Sequence, residues 1–169
     1  MDSHIIRAVP GDVDAIQALK ETVSRGMEHP EYYVTDDRAF VERHIACEGF
    51  TLLWREQGEL AGFLIVRFPR EAPDNLGRDI DLSPALLPKV AHMESAAVLS
   101  KFRGHGIQGA LVTAAEEIAR DMGCWYAMGT VHPANVPSLS TMQELGYEIV
   151  ATKEKYGGKT RHIIWKALI

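Results

Sequence analysis

The chain has 169 residues, the size of one ordinary domain of ~100–200 residues, so we expect a single domain over residues 1–169. Its 46% hydrophobic and 24% charged residues are typical of globular proteins and exclude disordered and fibrous classes. The net charge of −5 disfavours nucleic acid as a partner, and no long apolar run or signal-like N-terminus points to a membrane. Two widely separated cysteines, Cys47 and Cys124, indicate a reducing, cytoplasmic compartment.

The chain opens with a predicted strand and helix. Residues 4–9 favour a strand, and Asp12 is the expected N-cap of a helix that ends at Gly26. The apolar residues of this helix recur at helical spacing, at Val13, Ile16, Leu19 and Val23. Residues 50–54 and 60–68 are apolar runs joined by a turn-forming spacer, a pattern typical of an antiparallel hairpin.

Between the first helix and the hairpin we predict a second helix. Thr35 is its expected cap, with Asp36 and Asp37 in the first turn and Gly49 stopping the helix. After the hairpin, residues 69–88 contain several prolines and predict a long irregular connection with a short helix near its end.

Strands and helices alternate in the second half of the chain. The predicted elements are a strand at 90–99, a helix ending at Met122, a strand at 125–131, a helix after Asn135 and closing strands at 147–153 and 161–168. The alternation implies parallel pairing, whereas the hairpins imply antiparallel pairing. The sequence therefore predicts an α/β (α+β) fold with a mixed sheet flanked by helices.

A glycine-rich turn lies between the strand at 90–99 and the following helix. It consists of Arg103, Gly104, His105, Gly106, Ile107, Gln108 and Gly109. The helix N-terminus offers unsatisfied N–H groups and a partial positive charge, and glycines lack the Cβ that keeps a phosphate away from the backbone. The turn therefore predicts a pyrophosphate cradle, although glycines before a helix also form plain tight turns. On the helix itself, the spacing turns a set of charged residues outward: Glu116, Glu117, Arg120 and Asp121.

The glycines also match the G-x-G-x-x-G dinucleotide fingerprint, which makes a nicotinamide-dependent oxidoreductase an alternative. That fingerprint needs an acidic residue about 20 positions later, at the end of the next strand. No acidic residue occurs between Asp121 and Glu144. The P-loop pattern fails as well, because no Gly-Lys-Ser/Thr follows.

The turn resembles the core motif of the GNAT superfamily of N-acetyltransferases, which reads Arg or Gln, two residues, Gly, one residue, then Gly or Ala. Arg103 and Gly106 fit this order, whereas Gln108 stands where the family has Gly or Ala. The likeness extends from Ile5 to the C-terminus in the order of elements. It implies an acyl-CoA N-acyltransferase fold with a mixed, mostly antiparallel sheet of roughly six to seven strands.

The resemblance implies acetyl-CoA as co-substrate and no metal. In the family the acyl-CoA lies between two splayed parallel strands, here 90–99 and 125–131, with pantetheine along the first and pyrophosphate on the turn. The implied cofactor residues are Ala97, Val98, Leu99, Arg103, Gly104, His105, Gly106, Ile107, Gln108, Gly109, Asn135 and Ser138. Since members of the family are often dimers, a homodimer is also implied.

Acetyl transfer to an amine needs a group that accepts a proton and a group that protonates the leaving thiolate. Glu94 resembles the glutamate that many family members use as base, and a plain substrate-anchoring carboxylate is the equal alternative. Met142 occupies the position of the family's usual tyrosine acid and cannot donate a proton. Tyr147, Ser138 or water are the substitutes that remain open.

We therefore predict an acetyl-CoA-dependent N-acetyltransferase acting on a primary amine of a small-molecule or peptide acceptor, by direct attack in a ternary complex. A non-catalytic acyl-CoA-binding module is the first alternative, because Met142 replaces the acid. Cys124 is more simply a buried packing residue than a nucleophile. His44 and Cys47 form no recognised metal-ligand spacing.

Overall fold

The computed structural model describes residues 2–30 and 36–169. The helices are α1 (Val13–Arg25), α2 (Arg38–Ala46), α3 (Ile107–Asp121) and α4 (Val136–Glu144). The strands are β1 (Ile5–Arg7), β2 (Gly49–Glu56), β3 (Glu59–Arg67), β4 (Val90–Val98), β5 (Tyr126–Val131), β6 (Glu148–Lys155) and β7 (Lys159–Ala167). They form a seven-stranded mixed sheet in the order β1-β2-β3-β4-β5-β7-β6, which confirms the predicted fold class.

The chain divides into two compact units. The first comprises Met1–Arg67 with Glu94–Ala115, and the second comprises Phe68–Met93 with Glu116–Ile169. The first unit contains the predicted hairpin, in which β2 and β3 pair antiparallel and β1 adds to the other edge of β2. Its core consists of the apolar face of α1 packed with strand residues: Val13, Ile16, Leu19, Val23, Leu53, Phe63 and Ile65. Removal of these side chains from water is the main stabilising contribution to this unit.

The second helix begins later than the sequence predicts. α2 starts at Arg38, and the Asp37 carboxylate caps it by accepting a hydrogen bond from the Phe40 N–H at 2.8 Å. Asp37 is therefore the N-cap and not a first-turn residue, because its carboxylate accepts a hydrogen bond from a backbone N–H of the first turn. The predicted cap Thr35 lies outside the described residues. At the other end the helix stops at Ala46, and Gly49 is the first residue of β2.

The second unit contains the parallel part of the sheet. Residues Val90–His92 of β4 pair in parallel with Tyr126–Met128 of β5. β7 then pairs antiparallel with β5 on one side and with β6 on the other. Its core cluster includes Leu76, Val90, Met128 and Ile163.

Two buried polar side chains organise the long connection that follows β3. The Asn75 amide donates to the carbonyls of Arg70 and Leu87, at 2.7 and 3.1 Å, and its oxygen accepts from Gly77 N–H. His92 Nε2 accepts the Leu76 N–H at 3.0 Å. The predicted short helix is present at Pro84–Lys89, and a further 3₁₀ helix forms at Leu76–Ile80, where these bonds satisfy the backbone.

The orientation predicted for Glu116 is wrong. This residue is buried on α3, where its carboxylate accepts bonds from the Tyr147 hydroxyl and the Lys166 ammonium, each at 2.8 Å. A paired and hydrogen-bonded carboxylate can be buried in a helix face that periodicity alone assigns to solvent. Glu117, Arg120 and Asp121 are exposed, as predicted.

Candidate active site

The predicted cradle lies in the first unit, where β4 passes through a 3₁₀ turn at Ser100–Phe102 into α3. Gly104 and Gly106 adopt φ values of +81° and +75°, in the left-handed region that other residues enter only with strain. A Cβ built on either glycine meets no atom of the described chain within 4 Å. The glycines thus give the turn its shape and leave open space beside a helix N-terminus whose first N–H groups have no partner within the helix.

Arg103 lies next to the end of β4. Its Nε donates to the carbonyl oxygen of Val98 at 3.3 Å, and the side chain is exposed. The structure therefore brings together two residues to which the family resemblance gives cofactor roles, Arg103 for the pyrophosphate and Val98 for pantetheine. An exposed guanidinium with a single backbone partner can turn toward an anion without leaving a buried group unsatisfied.

The end of β4 lies close to β3 at Gly62, a residue whose role sequence reasoning missed. The Leu99 N–H donates to the Ala61 carbonyl at 2.8 Å, and a Cβ on Gly62 would lie 3.0 Å from the Ala97 carbonyl oxygen. Gly62 therefore permits a close approach to the strand that, by the family resemblance, would bind pantetheine. A glycine inside an apolar strand is the available sequence signal for such an approach.

The remaining turn residues divide by exposure. His105 is exposed, and Gln108 and Gly109 are partly exposed. Ile107 is buried at 3% exposure. Any contact of Ile107 with an anion is therefore a backbone contact, because its side chain belongs to the core of the first unit.

Glu94 lies on β4 in a partly buried group of charges. Its Oε1 is 3.9 Å from Nη1 of Arg67, the last residue of β3, and both side chains are 17% exposed. Asp36 belongs to the same group of charges. Burial raises the pKa of Asp36, the Lys20 charge opposes this rise, and the Glu94 charge adds to it. Sequence reasoning identified Glu94 but none of these neighbours.

Lys20 and His44 complete this group. The Lys20 ammonium is 4% exposed and donates to the backbone carbonyl of Asp36 at 3.0 Å, and burial lowers the pKa of Lys20. Burial likewise lowers the pKa of His44, whose Nδ1 lies 2.7 Å from the Phe40 carbonyl oxygen. Lys20 follows Ile16 by one helical turn on the buried face of α1, and a charge in an apolar stripe is the signal that the sequence offers for it.

Asn135 and Ser138 lie in the second unit, where they form the start of α4. The Asn135 side-chain oxygen accepts a hydrogen bond from the Ser138 N–H at 3.4 Å. Asn135 therefore caps the helix and leaves its amide nitrogen outside that bond. Ser138 is partly exposed, and Met142 of the same helix is buried.

Tyr147 is unsuited to protonate a thiolate. It is 2% exposed, and its hydroxyl already donates to Glu116. Burial first, and the Glu116 carboxylate second, raise the pKa of Tyr147 and make it a weaker acid. Of the substitutes for the missing tyrosine acid, Ser138 and water remain.

Other candidate groups show structural roles. Cys124 is buried, and this burial raises the pKa of its thiol, which disfavours the nucleophilic thiolate. Across the described part of the chain, no group of three or more His, Cys, Asp or Glu side chains is placed to hold a metal ion. Within residues 2–30 and 36–169, no helix combines the length and apolar character needed to cross a lipid bilayer.

Comparison with solved structures identifies the fold. An N-acetyltransferase from Staphylococcus aureus Mu50 aligns over 100% of both chains with a TM-score of 0.74 and 17% identity. Chaetomium thermophilum Naa20 in complex with a bisubstrate analogue covers 96% of this chain and 85% of its own, with a TM-score of 0.75 and 19% identity. The ribosomal-protein-S18-alanine N-acetyltransferase from Escherichia coli covers 97% and 92%, with a TM-score of 0.72 and 12% identity.

These likenesses show a shared fold at low sequence identity. A search of curated protein sequences returns no match. The sequence profile described as the acetyltransferase (GNAT) family matches residues 15–147, which is more than half of the chain. The chain therefore belongs to the GNAT family of acetyltransferases.

Proposed function

We propose that this chain acts as a single domain that transfers the acetyl group of acetyl-CoA to a primary amine of a small-molecule or peptide acceptor. The observation that carries the proposal is the open glycine turn at the start of α3, beside the Val98 carbonyl. In this proposal the turn residues Arg103–Gly109 bind pyrophosphate through backbone N–H groups and the Arg103 guanidinium. The end of β4, from Ala97 to Leu99, offers backbone groups to pantetheine, and Asn135 and Ser138 provide further polar contacts.

The reaction proceeds by direct attack in a ternary complex. The neutral amine nitrogen attacks the thioester carbonyl carbon, the new C–N bond forms, and the C–S bond breaks to release CoA as its thiolate. Glu94 accepts the proton lost by the amine, directly or through water. The thiolate takes its proton from water, directly or relayed through the Ser138 hydroxyl, which regains a proton from solvent; the Met142 thioether carries none and the Tyr147 hydroxyl is engaged with Glu116.

The charges around Glu94 do not by themselves select an acceptor, because the Asp36 carboxylate is paired with Lys20 and the Glu94 carboxylate with Arg67. One similar structure is named as a ribosomal-protein-S18-alanine N-acetyltransferase, so peptide amines belong in the panel beside small amines. The free cysteines Cys47 and Cys124 support a reducing compartment such as the cytoplasm.

The test measures release of CoA thiol from acetyl-CoA with a panel of diamines, amino sugars and peptides bearing free N-termini. We expect turnover with at least one amine class, and Glu94→Gln should lower kcat by ~10²–10⁴-fold without changing CoA affinity. Glu117→Gln, an exposed carboxylate on α3, is the matched control and should leave both values unchanged.

Two results would contradict the proposal. Binding of acetyl-CoA without thioester consumption across the panel would favour the non-catalytic acyl-CoA-binding module. Stronger thermal stabilisation by NAD than by acetyl-CoA would favour the oxidoreductase alternative.

A further inference from the structure

The Arg67 guanidinium lies beside Glu94, and cofactor binding does not explain its position. Arg67 ends β3, and its Nη1 lies 3.9 Å from Glu94 Oε1. Both side chains are 17% exposed, so solvent screens this pair less than the surface pair of Arg38 and Glu42, whose side chains are 55% and 53% exposed.

The other charged groups of the region are engaged differently. Lys20 directs its ammonium at Asp36, with Nζ 3.0 Å from the backbone carbonyl and 3.4 Å from Oδ2. His44 is buried with Nδ1 bonded to the Phe40 carbonyl, and its lowered pKa favours the neutral ring. Asp36 repels Glu94, since two like charges in one partly buried region raise each other's energy. Arg67 thus provides Glu94 with an attractive charge that opposes this repulsion.

We propose that Arg67 is a positioning residue for amine deprotonation, holding the Glu94 carboxylate ionised and oriented toward the acceptor. The inference rests on the proposed function, in which Glu94 accepts the amine proton. A guanidinium stays protonated throughout, so Arg67 takes no proton itself. When Glu94 receives a proton the ion pair is lost, and the Arg67 charge then favours release of that proton to solvent. Arg67 therefore weakens Glu94 as a base but restores its charged form after each turnover.

The test compares Arg67→Gln and Arg67→Lys with Arg55→Gln. Arg55 is a matched control, because it lies on the same hairpin as Arg67 but pairs with Asp12, at 3.1 Å, instead of with Glu94. Loss of a neighbouring opposite charge should move the acidic limb of the kcat/KM–pH profile up by about one pH unit in Arg67→Gln. At a pH below the acidic midpoints of both wild type and Arg67→Gln, kcat/KM of Arg67→Gln should be ~10-fold lower than that of wild type. Arg67→Lys should recover part of this loss. Arg55→Gln should keep the wild-type limb, and CoA affinity should stay unchanged in all three variants.

A second readout does not require turnover. Carboxyl ¹³C NMR of Glu-labelled protein follows the Glu94 titration directly, and Glu94→Gln identifies the resonance. We expect its midpoint to rise in Arg67→Gln and to stay at the wild-type value in Arg55→Gln. In Glu94→Gln protein, adding Arg67→Gln should have little further effect on kcat, since Arg67 acts through Glu94.

The outcomes separate the two claims. An unchanged Glu94 midpoint, or kcat losses that add in the double variant, would overturn the role of Arg67 while wild-type turnover upholds the proposed function. A wild-type protein that never consumes thioester would overturn the proposed function and the role of Arg67 with it, whatever the NMR titration shows.

Discussion

Replacing Gly106 by alanine separates the folding role of the glycine turn from its proposed binding role. Gly106 has a φ of +75°, and an added Cβ meets nothing within 4 Å in the described structure. The methyl group therefore adds no steric clash within the chain, and the penalty is the left-handed backbone strain of ~1–2 kcal/mol. We expect Gly106→Ala to lower the free energy of unfolding by about that amount.

The chain offers a matched control at the opposite end of α3. Gly123 has a φ of +92°, and its added Cβ also finds open space among the described residues. Gly123→Ala should lose a similar ~1–2 kcal/mol of unfolding free energy, because the same type of strain is introduced. The two variants then differ in one respect, the proximity of the methyl group to the proposed pyrophosphate site.

The expected effect on binding follows from the hydrogen bonds that a methyl group displaces. A phosphate oxygen held by a backbone N–H is a charged hydrogen bond worth about 1.5–3 kcal/mol. Its loss in Gly106→Ala should weaken CoA binding roughly 10- to 100-fold. Isothermal titration calorimetry with CoA measures this effect, and urea unfolding of the ligand-free proteins measures the strain. Wild-type affinity in Gly106→Ala, or an equal loss in Gly123→Ala, would refute the cradle.

Three further predictions concern buried polar groups. Tyr147→Phe removes a bond to the buried Glu116 carboxylate and should lower unfolding free energy by about 1.5–3 kcal/mol in urea titrations, with CoA affinity retained. His92→Ala leaves a buried backbone N–H without its imidazole acceptor and should cost about 1–3 kcal/mol by the same measurement. Burial lowers the His44 pKa below its unfolded value of 6.5, so the unfolded chain binds the proton first and stability should decline as pH falls below about 6.5. His44→Gln should show a shallower decline of the unfolding free energy between about pH 7 and 5. The raised pKa of Asp36 has the opposite effect on stability: the protonated Asp36 carboxyl stabilises the fold, and this contribution is lost as pH rises above 3.8.

The elements that sequence reasoning predicts well are those determined by neighbouring residues. The apolar spacing of α1 and its end at Gly26 follow from side chains within one helix, and both agree with the structure. The glycine turn before α3 is equally local, since positive φ at Gly104 and Gly106 depends on the absence of a Cβ at those positions. The observed start of α2 differs from the predicted one because adjacent polar residues can each cap a helix, and local sequence does not rank them.

The contacts that sequence reasoning missed join residues far apart in the chain. Helical periodicity assigned Glu116 to solvent, yet Tyr147 and Lys166 bind its carboxylate in the core of the second unit. Burial of that carboxylate is favourable only because both partners are present. The pairing of Arg67 with Glu94 is of the same kind, since neither residue carries a sequence signal that points to the other.

This difference between local and distant contacts has a consequence for the proposed site. Every group of the proposed pyrophosphate cradle comes from one continuous segment, Arg103–Gly109, so its shape depends mainly on the glycines and the start of α3. The surroundings of Glu94 depend on α1, the segment before α2, and β3, through Lys20, Asp36 and Arg67. A substitution at Lys20, Asp36 or Arg67 changes the electrostatic field at Glu94 without altering a residue of the cradle. We therefore expect substitutions at these positions to change the choice and pH dependence of the acceptor amine more readily than the affinity for CoA.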